Sequence, residues 1–228
     1  MTSPGYLRFV VAGDSGIVSI DPAGRLGCGL GDLRLHIYDS AGDTVYQAGA
    51  ADGPISAAFS SDYATDGSMR IFVTLKNVGD APIRLSRAVF ESADKSVAIQ
   101  GDMSGWARYK MGFNTGAASG AAPLTVPDNR FFLRGVPYGI LPKSVTNMLY
   151  YDGTEFSKVP GKFESEWFSA LYDFHDKHGI LFGFYGVQKH FSRVRVDLTA
   201  GTASLTAFLD DSELAPGASR ELDPIIIL

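Results

Sequence analysis

Leu33-Arg34-Leu35-His36-Ile37-Tyr38 is the stretch from which the fold can be read. Leu33, Leu35 and Ile37 share one face and Arg34 and His36 the other, the alternation of a strand with one wet side. Ile71-Phe72-Val73-Thr74-Leu75-Lys76, Ile83-Arg84-Leu85-Ser86 and Val194-Arg195-Val196-Asp197-Leu198 repeat the pattern. Ile180-Leu181-Phe182-Gly183-Phe184-Tyr185 is apolar on both faces and is expected as a central strand. No long stretch carries a 3.6-residue apolar stripe. The best helical candidate, Glu164 to His175, spaces Trp167, Phe168, Leu171, Tyr172 and Phe174 equally well for a strand, with Trp167 in the core.

Turn signals separate these runs. Asp52-Gly53, Asp66-Gly67, Asp152-Gly153, His178-Gly179 and Ala200-Gly201 supply residues that tolerate positive φ. Asn77-Val78-Gly79-Asp80-Ala81-Pro82 reads as a polar corner between two sheets, with Pro82 leading into the next strand, where a missing N–H does least harm. The alternation breaks between about Gly101 and Pro142, where a long irregular segment is expected. With no repeat and no linker, the expectation is one all-β domain over residues 1–228, a large antiparallel β-sandwich.

Composition narrows the function. The chain has 228 residues, 20 basic and 25 acidic side chains, a net charge of −5 and 45% hydrophobic residues, enough for a full core without staples. Its mild acidity argues against nucleic acid and anionic membranes as partners. The single Cys28 excludes a disulfide framework and a multi-cysteine metal site. Met1-Thr2-Ser3-Pro4-Gly5 has no signal-peptide pattern, which points to a cytoplasmic setting. Pro224-Ile225-Ile226-Ile227-Leu228 reads as a buried strand. Natural chains rarely stop on one, so further chain is expected beyond it.

Few residues carry chemistry. Gly13-Asp14-Ser15-Gly16 has the letters of a protease nucleophile loop, but no His or Asp precedes it, so a hairpin turn is expected. Gly27-Cys28-Gly29-Leu30-Gly31 lacks the spacing and the following helix of a phosphate loop, so a glycine-rich strand is expected. His175-Asp176-Lys177-His178 gathers two imidazoles and a carboxylate. A metal would need further ligands such as His190 or a glutamate, and a solvated hairpin tip fits better. A sugar epimerase would need a His acid and a Glu base, and no spacing selects Glu164, Glu166 or Glu213 for that role. Asp210-Asp211-Ser212-Glu213 reads as a solvated corner before Pro216-Gly217. Trp106, Arg108 and Tyr109 are the carbohydrate-contact candidates: a ring beside polar groups stacks on a sugar face, although the same tryptophan also suits an end plug of the sandwich. No catalytic residue, metal ligand or cofactor is assigned.

Ser165-Glu166-Trp167-Phe168-Ser169-Ala170-Leu171-Tyr172-Asp173 leads into Gly179-Ile180-Leu181-Phe182-Gly183-Phe184, then His190-Phe191, Asp210 and Leu214-Ala215-Pro216-Gly217. This order resembles the end of the N-terminal β-supersandwich domain of alpha-galactosidase and raffinose-synthase-like glycoside hydrolases, family thirty-six and its relatives. The resemblance is specific over Ser165 to Leu228 and architectural over residues 1–164. Gly101-Asp102-Met103-Ser104-Gly105-Trp106 is similar to the family's glycine-x-serine-tryptophan loop, with Gly105 inserted before the tryptophan. The resemblance implies a galactose-mutarotase-like fold and the N-terminal part of a longer glycosidase. The family's two catalytic carboxylates lie on a barrel outside this chain. The chain is then expected to be a non-catalytic accessory domain. Its implied partners are the catalytic barrel of the same parent chain, a galactoside or other oligosaccharide, and a second copy if the parent oligomerises. The rival readings are a stand-alone carbohydrate-binding module using Trp106 and Tyr109, and a mutarotase-like epimerase.

Overall fold

The computed structural model describes residues 8–12, 17–21, 28–50, 53–65, 67–93, 95–112, 119–127, 159–186 and 188–228. The alternating runs form strands in two large sheets, antiparallel throughout. The first sheet runs β1 (Arg8–Ala12), β2 (Ile17–Asp21), β4 (Gly31–Asp39), β8 (Ile83–Ser92), β16 (Thr202–Leu214), β15 (Phe191–Asp197), β12 (Lys162–Glu166), with β5 (Thr44–Gln47) also on β4. The second runs β11 (Gly120–Pro123), β10 (Trp106–Lys110), β13 (Phe168–Asp173), β14 (His178–Phe184), β18 (Ile225–Ile227), β7 (Met69–Asn77), β17 (Ser219–Glu221), with β6 (Ile55–Tyr63) also on β7. β3 (Cys28–Gly29) and β9 (Ala98–Ile99) make a separate pair, so Cys28 and Gly29 are strand residues, and Gly31 opens β4.

The alternation in the sequence is the alternation of burial. Leu33, Leu35 and Ile37 from the first sheet and Ile71, Val73 and Leu75 from the second enter one hydrophobic core. Phe90 of β8 meets Phe59 of β6 and Phe184 of β14 edge-on, both at 6.5 Å between ring centres, and joins the two sheets. The isoleucines of β18 lie between β14 and β7, with Ile225 and Ile227 buried.

Two of the corners at which the chain crosses between the sheets are tightly constrained. At the first, Asn77 is fully buried. Its side-chain amide donates to the carbonyls of Ala81 (2.8 Å) and Leu214 (2.9 Å) and accepts from the Gly79 N–H (3.0 Å). This is the expected polar corner before Pro82 and β8. At the second, β12 of the first sheet is followed by β13 of the second with Trp167 alone between them. Trp167 sits at φ +64°, its N–H donates to Ser192 O (3.2 Å), and its carbonyl accepts from Phe184 N–H (2.7 Å). One residue in left-handed backbone thus ties β15 to β14. Trp167 is half-buried at this corner and is not the core strand residue expected.

Three other expectations are corrected. The irregular segment from Gly101 contains β10 and β11, and their ladder with β13 is regular; residues 128–142 lie outside the described residues. His178-Gly179 is no turn but the start of β14, and the chain reverses at Phe174 to Lys177 instead. Asp210-Asp211-Ser212-Glu213 lies inside β16, where Asp210 (φ +55°) and Asp211 (φ +51°) form a bulge that shifts the register against β8. Aspartate tolerates that conformation better than most residues, so the charge run marks a bulge and not the end of a strand. Gly13-Asp14-Ser15-Gly16 and Asp152-Gly153 lie outside the described residues.

Candidate functional site

The proposed sugar-contact residues are split between two faces of the second sheet. A single 3-10 turn, Met103–Gly105, capped by the Asp102 carboxylate on the Ser104 N–H (2.7 Å), delivers Trp106 to the start of β10. Trp106 is 1% exposed, and its indole N–H donates to Gln100 O at 3.0 Å. The ring plugs the sandwich and offers no face to a sugar. Arg108, two residues on, points inward as well. Its guanidinium donates to Pro123 O (3.1 Å) and Val126 O (2.7 Å) and lies over the Phe163 ring, so it fixes β11 and the turn after it. Tyr109 alone faces outward, stacked on Phe168 at 6.1 Å.

The histidines do not form a catalytic pair with the candidate glutamates. His190 is buried with both ring nitrogens engaged. Nε2 accepts from the Asp223 N–H (3.0 Å), and Nδ1 lies 3.2 Å from Phe191 O. The Nε2 acceptor role requires the neutral ring with its proton on Nδ1. Burial pushes the His190 pKa down, and this outweighs the nearby Asp223 carboxylate. Glu164 is bound to Arg195 and lies beside Arg193 across the first sheet. His175 packs over Gly105, where a β-carbon would come within 2.8 Å of the ring. The hairpin instead brings Asp173, Asp176 and His178 together.

A site with binding character lies elsewhere among the described residues. On the outer face of the second sheet a cavity of about 350 Å³ is lined by Trp167, Phe168, Leu181, Phe184, Tyr185 and Ile226. The register explains it: Phe168, Gly183 and Ile226 form one row across β13, β14 and β18, and Tyr109, Ala170 and Leu181 form a parallel row. A β-carbon on Gly183 would collide with the Trp167 carbonyl and with Phe168, so only glycine fits this point of the first row. Tyr185 (60% exposed) stands at the rim, and Tyr172 and Phe174 continue the apolar surface as an edge-to-face pair. Beneath the cavity Phe184 packs edge-on against His190 at 4.9 Å, so the buried histidine braces its wall. A second crease of about 530 Å³ beside Asp39 and Pro82 carries no comparable chemistry, since the Asp39 carboxylate is used to cap Ala41 and Asp43.

The signal for this site was present in the sequence. Ile180 to Tyr185 is apolar on both faces, yet only one face of β14 meets the core. The outward half, Leu181 with its row neighbours, is surplus apolar surface of the kind that marks an interaction site. No protein-family model matches the chain, and no curated protein matches it.

Proposed function

We propose that this chain is a non-catalytic accessory domain of an alpha-galactosidase-like glycoside hydrolase. In this reading the outer face of its second sheet seats against the catalytic barrel of the same parent chain. The observation that carries the docking role is the aromatic cavity at Trp167, Phe168, Leu181 and Tyr185, an open apolar site held on rigid strands. The commitment to a glycosidase barrel comes from the resemblance of the Ser165–Leu228 region.

The test is the parent reading frame, expressed whole and assayed on a chromogenic α-galactoside, with Leu181→Asp as the probe. A carboxylate at Leu181 would be desolvated by a docked barrel and remain hydrated in the isolated domain. The expected outcome is a barrel in the same frame, activity in the wild type, and loss of domain packing in Leu181→Asp, seen as separate melting of the two domains. A frame without a barrel, or a variant that packs like the wild type, overturns the reading.

A further inference from the structure

We propose that the free edge of β6 pairs with the same edge of a second copy of this chain, an antiparallel β6–β6 contact centred on Ser61. β6 is the edge strand of the second sheet and ladders with β7 alone, in unbroken register from Ile55 to Tyr63. The bonds that bracket the ladder fix its phase. Val78 N–H donates to Pro54 O (2.8 Å) and Ala64 N–H to Ser68 O (2.8 Å), so the even-numbered residues bond across to β7. On the far side of β7, Leu222 N–H donates to Val73 O (3.0 Å), as that phase requires. The N–H and C=O groups of Phe59, Ser61 and Tyr63 therefore point away from β7. Among the described residues no backbone group bonds to them; β1 comes near β6 but pairs with β2. Ile55 and Ala57 are buried, which closes the first half of the edge and leaves Phe59 to Tyr63 open.

Exposed edges are ordinarily guarded by lysine, proline, a bulge or a free charge. Phe59-Ser60-Ser61-Asp62-Tyr63 has no lysine, proline or bulge. Its one charge, Asp62, is held by the Arg70 guanidinium of β7 in a two-point ion pair (2.8 and 2.7 Å). Tyr63 is 60% exposed, an aromatic side chain left bare beside unpaired backbone.

These features select a second copy as the occupant, because the edge is complementary to itself. A two-fold axis at Ser61 sets Ser61 against the partner's Ser61, Phe59 against the partner's Tyr63, and Ser60 against the partner's Asp62. Phe59, Ser61 and Tyr63 all turn their backbone groups outward, so each of their pairs exchanges two N–H···O bonds. Each Tyr63 ring gains an aromatic neighbour, each Asp62 carboxylate faces a hydroxyl, and no like charges oppose. So short a contact makes a weak dimer. β18 and β7 separate this edge from the cavity on β13 and β14, so the contact is independent of the docking face.

The experiment is sedimentation velocity of the whole chain from about 10 to 500 μM, a range that populates a weak dimer. A concentration-dependent dimer is expected. Ser61→Pro removes an outward N–H and spares the ladder with β7, so it is expected to keep the fold and to raise the dimer Kd at least about tenfold. Tyr63→Lys places a charge on the same edge and is expected to do likewise. Ser61→Cys in a Cys28→Ser background is expected to form an intermolecular disulfide under mild oxidation, since directly facing residues lie within disulfide reach. Ser56→Cys in that background serves as the off-axis control. A monomer throughout the range overturns the proposal, as does a dimer that survives both Ser61→Pro and Tyr63→Lys. Cross-linking no faster at Ser61→Cys than at Ser56→Cys overturns it too. A dimer lost in Leu181→Asp and kept in both edge variants places the contact on the docking face; that outcome also overturns this proposal and leaves the accessory-domain reading to its own test.

Discussion

The carbonyl oxygen of Trp167 occupies the space that a β-carbon on Gly183 would need. The same carbonyl accepts the Phe184 N–H at 2.7 Å, so the close approach and the hydrogen bond are one feature. Trp167 reaches this position only at φ +64°, and Gly183 accommodates it only at φ +148°. A bulky aromatic in left-handed backbone is an outlier that its surroundings must hold in place. Here they hold the point where the chain changes sheets and where the apolar cavity opens.

Gly183→Ala is therefore expected to destabilise the fold by about 2–4 kcal/mol, through backbone strain and overpacking against Trp167 and Phe168. Urea unfolding followed by tryptophan fluorescence measures it. A loss below about 0.5 kcal/mol would mean that the corner yields and is not a fixed brace.

Trp106→Ala is expected to cost about 3–5 kcal/mol, because it removes a buried ring and leaves the Gln100 carbonyl without its indole donor. Galactosides titrated into the isolated wild-type domain are expected to give no heat at this residue, since no face of the ring reaches solvent. A wild-type signal abolished by Trp106→Phe at unchanged stability would refute this assignment.

The strands were legible wherever the alternation had a simple cause. Leu33, Leu35 and Ile37 face the core for the reason the pattern states, and β18 is a strand as its composition indicates, with Ile225 and Ile227 buried and Ile226 on the outer face. β10 was hidden because Trp106 and Arg108 on its inner face alternate with Ala107 and Tyr109, and polarity does not separate these sets. Arg108 is buried only because two carbonyls and an aromatic ring await it, and those partners come from β11, the turn after it and β12. Trp167 was beyond sequence reading for a related reason. Its left-handed turn exists because two sheets must be joined by one residue, which is a tertiary demand. The grouping of Asp173 with His178 likewise appears only once the hairpin register is known, because a turn placed at His178-Gly179 would separate them.

Asn77→Ala tests the other corner. The side chain satisfies two carbonyls and one N–H at a fully buried position, and alanine leaves all three without that partner. A loss of about 2–4 kcal/mol is expected. Asn77→Asp is expected to be at least as damaging, because a carboxylate cannot donate to Ala81 and Leu214. Equal stability of Asn77→Asp and wild type at neutral pH would show that water replaces the amide.

The buried His190 makes stability depend on pH. Burial lowers its folded-state pKa below the ordinary 6.5, so the unfolded chain takes up the proton first as pH falls. The stabilisation is complete above about pH 6.5 and is lost on acidification from there down through the depressed folded pKa, at no more than about 1.4 kcal/mol per pH unit. Protonation would also turn Nε2 from acceptor to donor against the Asp223 N–H and break the bond that holds the β17–β18 connection. The groups facing the ring are the Asp223 carboxylate, which opposes the shift, and the Lys189 and Arg220 cations, which support it. Denaturation of wild type and His190→Gln across pH 7.5 to 5 separates this contribution from the carboxylates elsewhere. The variant is expected to be less stable at pH 7.5 and to lose less on acidification, so that the two curves converge. Parallel curves would place the proton uptake at another group.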